Sequence, residues 1–388
     1  MLTNKKYLLT YRPPGYYMAE KTKARGLSMD IYEQLREILD AHPATAPKAE
    51  AINKILRMLF TQEEAGIAIK MSYKTKNVTA IAKLAGISED NAIKHLESMA
   101  NKGIIMSRRK DGNALYGLLP LIPGVFEFPF MKGAKTPMHK ELGILWEEYH
   151  TQALGSAFAG NPTPLMRVVA VEKSIPAKDR VHPYEEVKEF INSAKFIALA
   201  GCACRISVDK CDKPREVCLI FESTGEFLVE RGFARQISKE EGLRVLDESE
   251  KAGLVHTSNN SSDKASLICN CCPCCCTVLR GKTQLNHPHA FEPSRYVAFV
   301  RKDDCTGCGI CVDERCPVKA ITITDDLAFV NENECIGCGL CVTGCAPEAI
   351  ELVERKQFPA IPATIQDMAV QVLQEKGRLE AFMKVMQS

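Results

Sequence analysis

Two stretches in the last quarter of the 388-residue chain carry the same cysteine spacing. They read CTGCGICVDERCP from residue 305 and CIGCGLCVTGCAP from residue 335. A loop with the spacing C-x-x-C-x-x-C wraps one iron–sulfur cubane so that three thiolates reach three irons. Glycines inside both loops allow the backbone to approach the cluster and point N–H groups at its sulfurs: Gly307, Gly309, Gly337 and Gly339. The doubled pattern predicts two [4Fe–4S] clusters, with zinc as the alternative.

Short apolar stretches bracket both motifs and predict strands: YVAFV, AITIT, LAFV and AIELV. With these strands, residues 293–356 resemble the bacterial two-cluster ferredoxins, in which the fourth cysteine of each motif serves the other cluster. The resemblance implies the following ligands for the first cluster: Cys305, Cys308, Cys311 and Cys345. For the second cluster it implies Cys335, Cys338, Cys341 and Cys316. The chain departs from the family pattern twice, since four residues separate Cys311 from Cys316 and Ala346 precedes Pro347.

A second concentration of cysteine precedes the doubled motif. The stretch CNCCPCCC, here called the knot, contains Cys269, Cys271, Cys272, Cys274, Cys275 and Cys276. Four more cysteines lie upstream: Cys202, Cys204, Cys211 and Cys218. Neighbouring cysteines rarely reach disulfide geometry, and soft thiolates gathered this closely favour metal binding. All ten are therefore predicted metal ligands, for one or two additional [4Fe–4S] clusters or, alternatively, zinc. Successive side chains diverge, so the knot cannot direct all its thiols at one cluster.

The order of these features is informative. Residues 165–355 combine CACR, the knot and the doubled motif, and they resemble multi-cluster ferredoxin-like proteins of anaerobic bacteria and archaea. The resemblance implies electron transfer in anaerobic metabolism, as a carrier or as a subunit of an oxidoreductase. It supplies no ligand assignment for the ten middle cysteines.

Residues 28–135 predict helices followed by a hairpin. Thr61 and Glu64 have capping-box spacing, and Gly86 and Gly103 follow two amphipathic stretches, the second with Ala92, Ile93, Leu96 and Met99 on one face. Two strands flank the turn at Asp111-Gly112. The segment resembles the winged-helix family at the level of the fold.

DNA binding by this segment is disfavoured. The start of the third helix, which faces the major groove in winged-helix proteins, reads Ser-Glu-Asp-Asn at residues 88–91 and repels phosphate. Only Arg108, Arg109 and Lys110 in the hairpin suit a phosphate contact. We expect docking or dimerisation instead.

The sequence predicts an α+β multidomain protein. Its segments are a basic arm (1–27), a winged-helix-like domain (28–135), a cysteine-rich α+β domain (136–292), a two-cluster ferredoxin-like domain (293–356) and a C-terminal helix (357–388). Net charge is +2, which creates no field directed at nucleic acid or membrane. No apolar run is long enough for a signal or membrane segment. We therefore expect a cytoplasmic protein.

No nucleophile elbow, P-loop or dinucleotide fingerprint occurs in a suitable setting, so no catalytic residue is assigned. The leading hypothesis is a soluble, low-potential electron carrier whose partners are redox enzymes or their subunits, in a possible dimer or complex. One alternative is a redox-sensing winged-helix transcription regulator. Another is a subunit in which a cluster or a reactive thiol is the catalytic site.

Overall fold

The structure, a computed structural model, describes residues 29–133, 136–175 and 187–387. Helices and strands are mixed along the chain, which confirms the predicted class in outline. Contacts gather the chain from Ile31 onward into one unit, so the predicted domain boundaries stay predictions. The predicted basic arm lies outside the described residues. Within the described ranges, no helix is both long enough and apolar enough to cross a bilayer.

The first described segment is mostly helical and ends in a hairpin. Its helices are α1 (Ile31–Asp40), α2 (Glu50–Leu59), α3 (Gln62–Ala68), α4 (Val78–Ala85) and α5 (Glu89–Lys102). Its strands are β1 (Lys76–Asn77), β2 (Ile105–Lys110) and β3 (Asn113–Leu118), which form one sheet in the order β1-β3-β2. The order of helices and hairpin agrees with the prediction, whereas the winged-helix assignment itself stays a prediction.

Local sequence signals explain where these helices begin and end. Thr61 and Glu64 form the predicted capping box at the start of α3. Gly86 and Gly103 adopt left-handed conformations at the ends of α4 and α5, where a residue with a Cβ would be strained. One prediction was wrong: Ile93 was assigned to the buried face of α5 but is 44% exposed.

The middle segment surrounds a six-stranded sheet. Its helices are α6 (Glu127–Met131), α7 (Pro137–Tyr149), α8 (Gly155–Ala159), α9 (Val187–Ser193), α10 (Ala203–Val208), α11 (Glu222–Glu230), α12 (Lys239–Lys251) and α13 (Thr277–Thr283). Its strands are β4 (Met166–Val168), β5 (Ile197–Gly201), β6 (Glu216–Phe221), β7 (Ala234–Gln236), β8 (Val255–Asn259) and β9 (Leu267–Cys271). The strand order is β4-β8-β9-β6-β5-β7, and every pair is antiparallel.

The sheet brings cysteines that are distant in sequence to neighbouring strands. Cys202 follows β5 directly, Cys218 lies in β6, and Cys269 and Cys271 lie in β9. Because β5, β6 and β9 are consecutive strands of the sheet, the upstream cysteine group and the knot meet at one end of it.

The ferredoxin-like segment contains all four predicted strands. They are β10 (Tyr296–Val300), β11 (Ile321–Thr324), β12 (Leu327–Val330) and β13 (Ile350–Glu354), with helix α14 (Leu340–Thr343) inside the second motif. Strand β10 pairs antiparallel with β13, and β11 pairs antiparallel with β12. Buried side chains from these strands, among them Ala298 and Leu352, form a small core between the two motifs.

The predicted C-terminal helix is divided into α15 (Ile365–Glu375) and α16 (Leu379–Gln387). Gly377 separates them, in a left-handed conformation that ends the first helix. Met368 and Val372 of α15 are buried, whereas α16 has no buried residue. Lys376 donates a hydrogen bond to the carbonyl of Pro43 (2.8 Å), so α15 is fastened to its own chain.

Candidate iron–sulfur and metal centres

The first predicted ligand set is brought together. One cavity is lined by Cys305, Cys308, Cys311 and Cys345. Its remaining wall is largely apolar and includes Ile323, Ala328 and Ile350. Cys308 is exposed and Cys311 is buried, so this site reaches the protein surface on one side.

The second predicted ligand set lines another cavity: Cys316, Cys335, Cys338 and Cys341. The four-residue spacer between Cys311 and Cys316 does not displace Cys316 from this cavity. The Sγ of Cys316 accepts the N–H of Ala320 at 3.2 Å. Burial raises the pKa of Cys338 to about 12 and also raises the pKa of Cys341. A thiol in such surroundings loses its proton when a metal coordinates it, so this donor set fits a cluster.

The motif loops approach neighbouring backbone closely at two glycines. A Cβ at Gly337 would lie 2.1 Å from the carbonyl oxygen of Tyr296, and one at Gly307 would lie 2.5 Å from that of Asp326. Both glycines have positive φ, of +65° and +64°. Glycine is therefore required at both positions by space as well as by backbone conformation.

The ten middle cysteines separate into two groups. The first, here called the quartet, consists of Cys211, Cys272, Cys274 and Cys275, whose Sγ atoms all lie within 4.8 Å of one another. The neighbouring thiol of Cys275 and the positive charge of Arg205 lower the pKa of Cys272 to about 4. Burial, with Cys211 and Cys272 beside it, raises the pKa of Cys274 to about 11.

The remaining six cysteines line one cavity together and are here called the ring. Its members are Cys202, Cys204, Cys218, Cys269, Cys271 and Cys276. Neighbouring thiols, together with burial, raise the pKa of three members: Cys202, Cys269 and Cys276. Neighbouring thiols lower the pKa of the other three although burial opposes this: Cys204, Cys218 and Cys271.

Both sides of the knot contribute to both groups. Cys269 and Cys271 before Pro273 and Cys276 after it belong to the ring, while Cys272, Cys274 and Cys275 belong to the quartet. Strand β9 ends at Cys271, and Cys276 caps α13 by accepting the N–H of Leu279. The thiols of the knot thus do not all face one site, and their binding of metal stays a prediction.

The ring opens into a cavity of about 370 Å³, here called the chamber. All six ring cysteines line it, and its other walls are mainly apolar, with Phe128, Ile122 and Leu119 on one side and Met368 of α15 on another. Thr257 Oγ1 lies 3.4 Å from Cys271 Sγ, adding one polar contact. A volume of this size is typical of a small-ligand pocket.

The sequence analysis did not identify two ionisable residues that line the chamber, Glu127 and Arg205, as site residues. Burial raises the pKa of Glu127 to about 8, and the Cys204 thiolate adds to the shift. Its Oε2 accepts the N–H of Gly124 at 2.7 Å. The sequence signal was present, because Glu127 is the one acidic residue in the apolar run 118–130.

Arg205 is the second of these residues, and it is completely buried. Its Nη1 donates to the carbonyl of Asn270 at 3.0 Å, while Nε and Nη2 have no hydrogen-bond acceptor. Burial opposes its charge, but the thiols of Cys202 and Cys272 raise its pKa. A buried cation touching both the ring and the quartet offsets negative charge on their thiolates.

In a comparison with protein families, the model of the 4Fe-4S dicluster domain matches residues 298–346. The chain is thus an iron–sulfur protein with a ferredoxin-type domain on its C-terminal side and a capacity for electron transfer. Comparison with curated proteins and with solved structures gives no match.

Proposed function

We propose that the protein is a low-potential electron carrier or electron-transfer subunit with three iron–sulfur clusters. Two would be held by the two four-cysteine cavities of residues 293–356, and the third by the ring. The observation that carries the proposal is that each cavity is lined by three cysteines of one motif and the fourth cysteine of the other. Bound clusters of this type supply one-electron transfer, at potentials of roughly −400 mV for low-potential ferredoxins.

The ring offers more than the four thiolates one cubane needs, and it lies in an apolar, buried setting. Contacts also hold the second cavity against the middle segment. The carbonyl of Cys338 accepts the N–H of Val171 at 2.9 Å, and Lys282 of α13 pairs with Glu334 beside the second motif at 2.8 Å. These contacts fix the position of one candidate centre relative to the other and support a relay between them.

We further propose that residues 28–135 form a winged-helix-like domain that docks a redox partner. The charges argue against DNA. The first turn of α5 carries Glu89 and Asp90, and Arg109 of the hairpin already pairs with Glu230 at 3.3 Å. A gel shift with duplex DNA, with and without reductant, tests this: we expect no salt-dependent shift, and a specific shift would favour the transcription regulator.

The experiment that tests the electron carrier is anaerobic transfer from the reduced protein to a one-electron acceptor dye, followed by stopped flow. We expect Cys308→Ser to lose or convert the first cluster and slow transfer at least about tenfold, because Cys308 lies where that cavity reaches the surface. Thr306→Ser, on the same loop, is the matched control and should behave like the wild type. A reduced protein that transfers no electrons, or a Cys308→Ser variant with wild-type rate, contradicts the proposal.

The chamber favours a second candidate, a subunit whose ring is a catalytic site for a small apolar substrate. Its size, its apolar walls and the carboxyl of Glu127 beside the thiols of Cys204 and Cys218 are features of a reaction pocket. Alkylation of the anaerobic protein followed by mass mapping tests it. Modification of a ring cysteine while iron is still bound supports catalysis, whereas protection of the whole ring until iron is lost supports electron transfer alone.

A further inference from the structure

The quartet differs from the other cysteine sites in its spacing. Cys211 Sγ lies 3.8 Å from Cys272 Sγ and 3.9 Å from Cys275 Sγ, and Cys275 Sγ lies 3.8 Å from Cys274 Sγ. Among the described residues, which include all 18 cysteines, this is the one group of metal-binding side chains whose ligand atoms all lie within 4.8 Å. The thiols that line the two ferredoxin-type cavities are not gathered so closely.

These distances match a single tetrahedral ion. Four sulfurs placed about 2.3 Å from a zinc ion at the corners of a tetrahedron lie about 3.8 Å apart. A cubane holds its ligands farther apart, because four irons and four sulfides lie between them. The spacing of the quartet therefore leaves room for one metal ion and none for a cubane.

The surroundings suit a closed structural site. Cys272 and Cys275 are fully buried, and all four donors are thiols, so no coordination position is left for water or substrate. A tetrathiolate zinc site carries a net negative charge, and the buried guanidinium of Arg205 faces Cys272. This guanidinium offsets part of that charge.

The quartet also joins two parts of the chain that have no regular structure of their own. Cys211 lies in the connection between α10 and β6, and the other three cysteines lie in the turn of the knot between β9 and α13. Lys210, beside Cys211, pairs with Glu147 of α7 at 2.9 Å. We propose that Cys211, Cys272, Cys274 and Cys275 bind one zinc ion that fastens the 209–215 connection to the knot and so holds the ring in shape.

Metal analysis of the full-length protein, purified anaerobically without added zinc, tests this directly. We expect about one zinc per chain, and zinc-edge X-ray absorption should show four sulfurs at about 2.3 Å. Cys274→Ser should lower the zinc content several-fold while the iron of the ferredoxin-type sites remains. Cys308→Ser is the reciprocal control and should lower iron while zinc remains.

Several outcomes would overturn the inference. Absence of zinc from the wild type, a zinc edge without four sulfur neighbours, or a mononuclear iron spectrum that disappears in Cys274→Ser would each do so. The absorption measurement needs no variant, so it decides the question even if Cys274→Ser fails to fold. The electron carrier proposal is judged separately, because the EPR signals of the two ferredoxin-type clusters do not depend on the quartet.

Discussion

Replacing Gly337 with alanine should remove the second ferredoxin-type cluster. A Cβ at this position would lie 2.1 Å from the carbonyl oxygen of Tyr296 and 2.2 Å from Ser294 Oγ, although real Cβ contacts stay above 3.0 Å. The loop or the strand would have to move by about 1 Å, and a close-packed interior resists that. Tyr296 is paired with Glu354 across the β10–β13 ladder, so the shift falls on the loop that carries Cys335 and Cys338. The positive φ adds about 1–2 kcal/mol of strain.

Gly309→Ala is the matched control. Gly309 also has positive φ, +79°, but the nearest atom to its Cβ would be Asp313 Oδ2 at 3.3 Å, the end of a flexible side chain. Gly309→Ala therefore has the same backbone strain from positive φ as Gly337→Ala, but its Cβ does not collide with the backbone of a neighbouring segment. We expect Gly337→Ala to lose about four irons per chain and one reduced-state EPR signal, and Gly309→Ala to keep both. A Gly337→Ala protein with full iron content, or equal losses in the two variants, would refute the reasoning.

Three further predictions concern stability, metal removal and the chamber. The Lys102 ammonium, 2.6 Å from Glu64, holds the pKa of that carboxyl below its usual 4.5 although burial opposes this. Glu64→Gln should therefore cost about 1–2 kcal/mol at pH 7, since Lys102 is partly exposed, and the difference from the wild type in thermal unfolding should shrink as the pH falls below 4.5. Removing zinc with a chelator should expose the 209–215 connection to trypsin, and unchanged cleavage kinetics after Lys210 and Arg215 would count against the zinc site. Glu127→Gln should leave the iron content unchanged, because the carboxyl is not a proposed ligand; loss of iron in this variant would show that Glu127 supports the ring directly.

The ferredoxin-type part of the fold was predictable because its signals are local. A short loop fixes three cysteines around one site, and the flanking apolar stretches form the strands β10–β13 as expected. Helix ends were predictable for the same reason, since the capping box at Thr61 and the glycine at the end of α5 act within one turn. The placement of Ile93 was wrong because the helical period shows the direction of the apolar face of α5 and does not show how much of that face other elements cover.

The division of the ten middle cysteines could not be predicted from spacing. It depends on β9, β6 and β5 being neighbours in the sheet, which places Cys218 beside Cys269 and places Cys204, just after β5, beside Cys276. Strand order is a long-range property that motif spacing does not contain. The break between α15 and α16 was missed although Gly377 is a local signal for it. Apolar residues continue at helical spacing on both sides of this glycine, so a single helix was predicted.

The most direct test of the account is quantitative iron and sulfide analysis of anaerobically purified protein, combined with EPR of the reduced state. Three clusters of the cubane type predict about 12 irons with matching sulfide, and three sets of signals that appear on reduction. About eight irons, with no cluster signal remaining once both ferredoxin-type sites are removed by substitution, would contradict the assignment of a cluster to the ring.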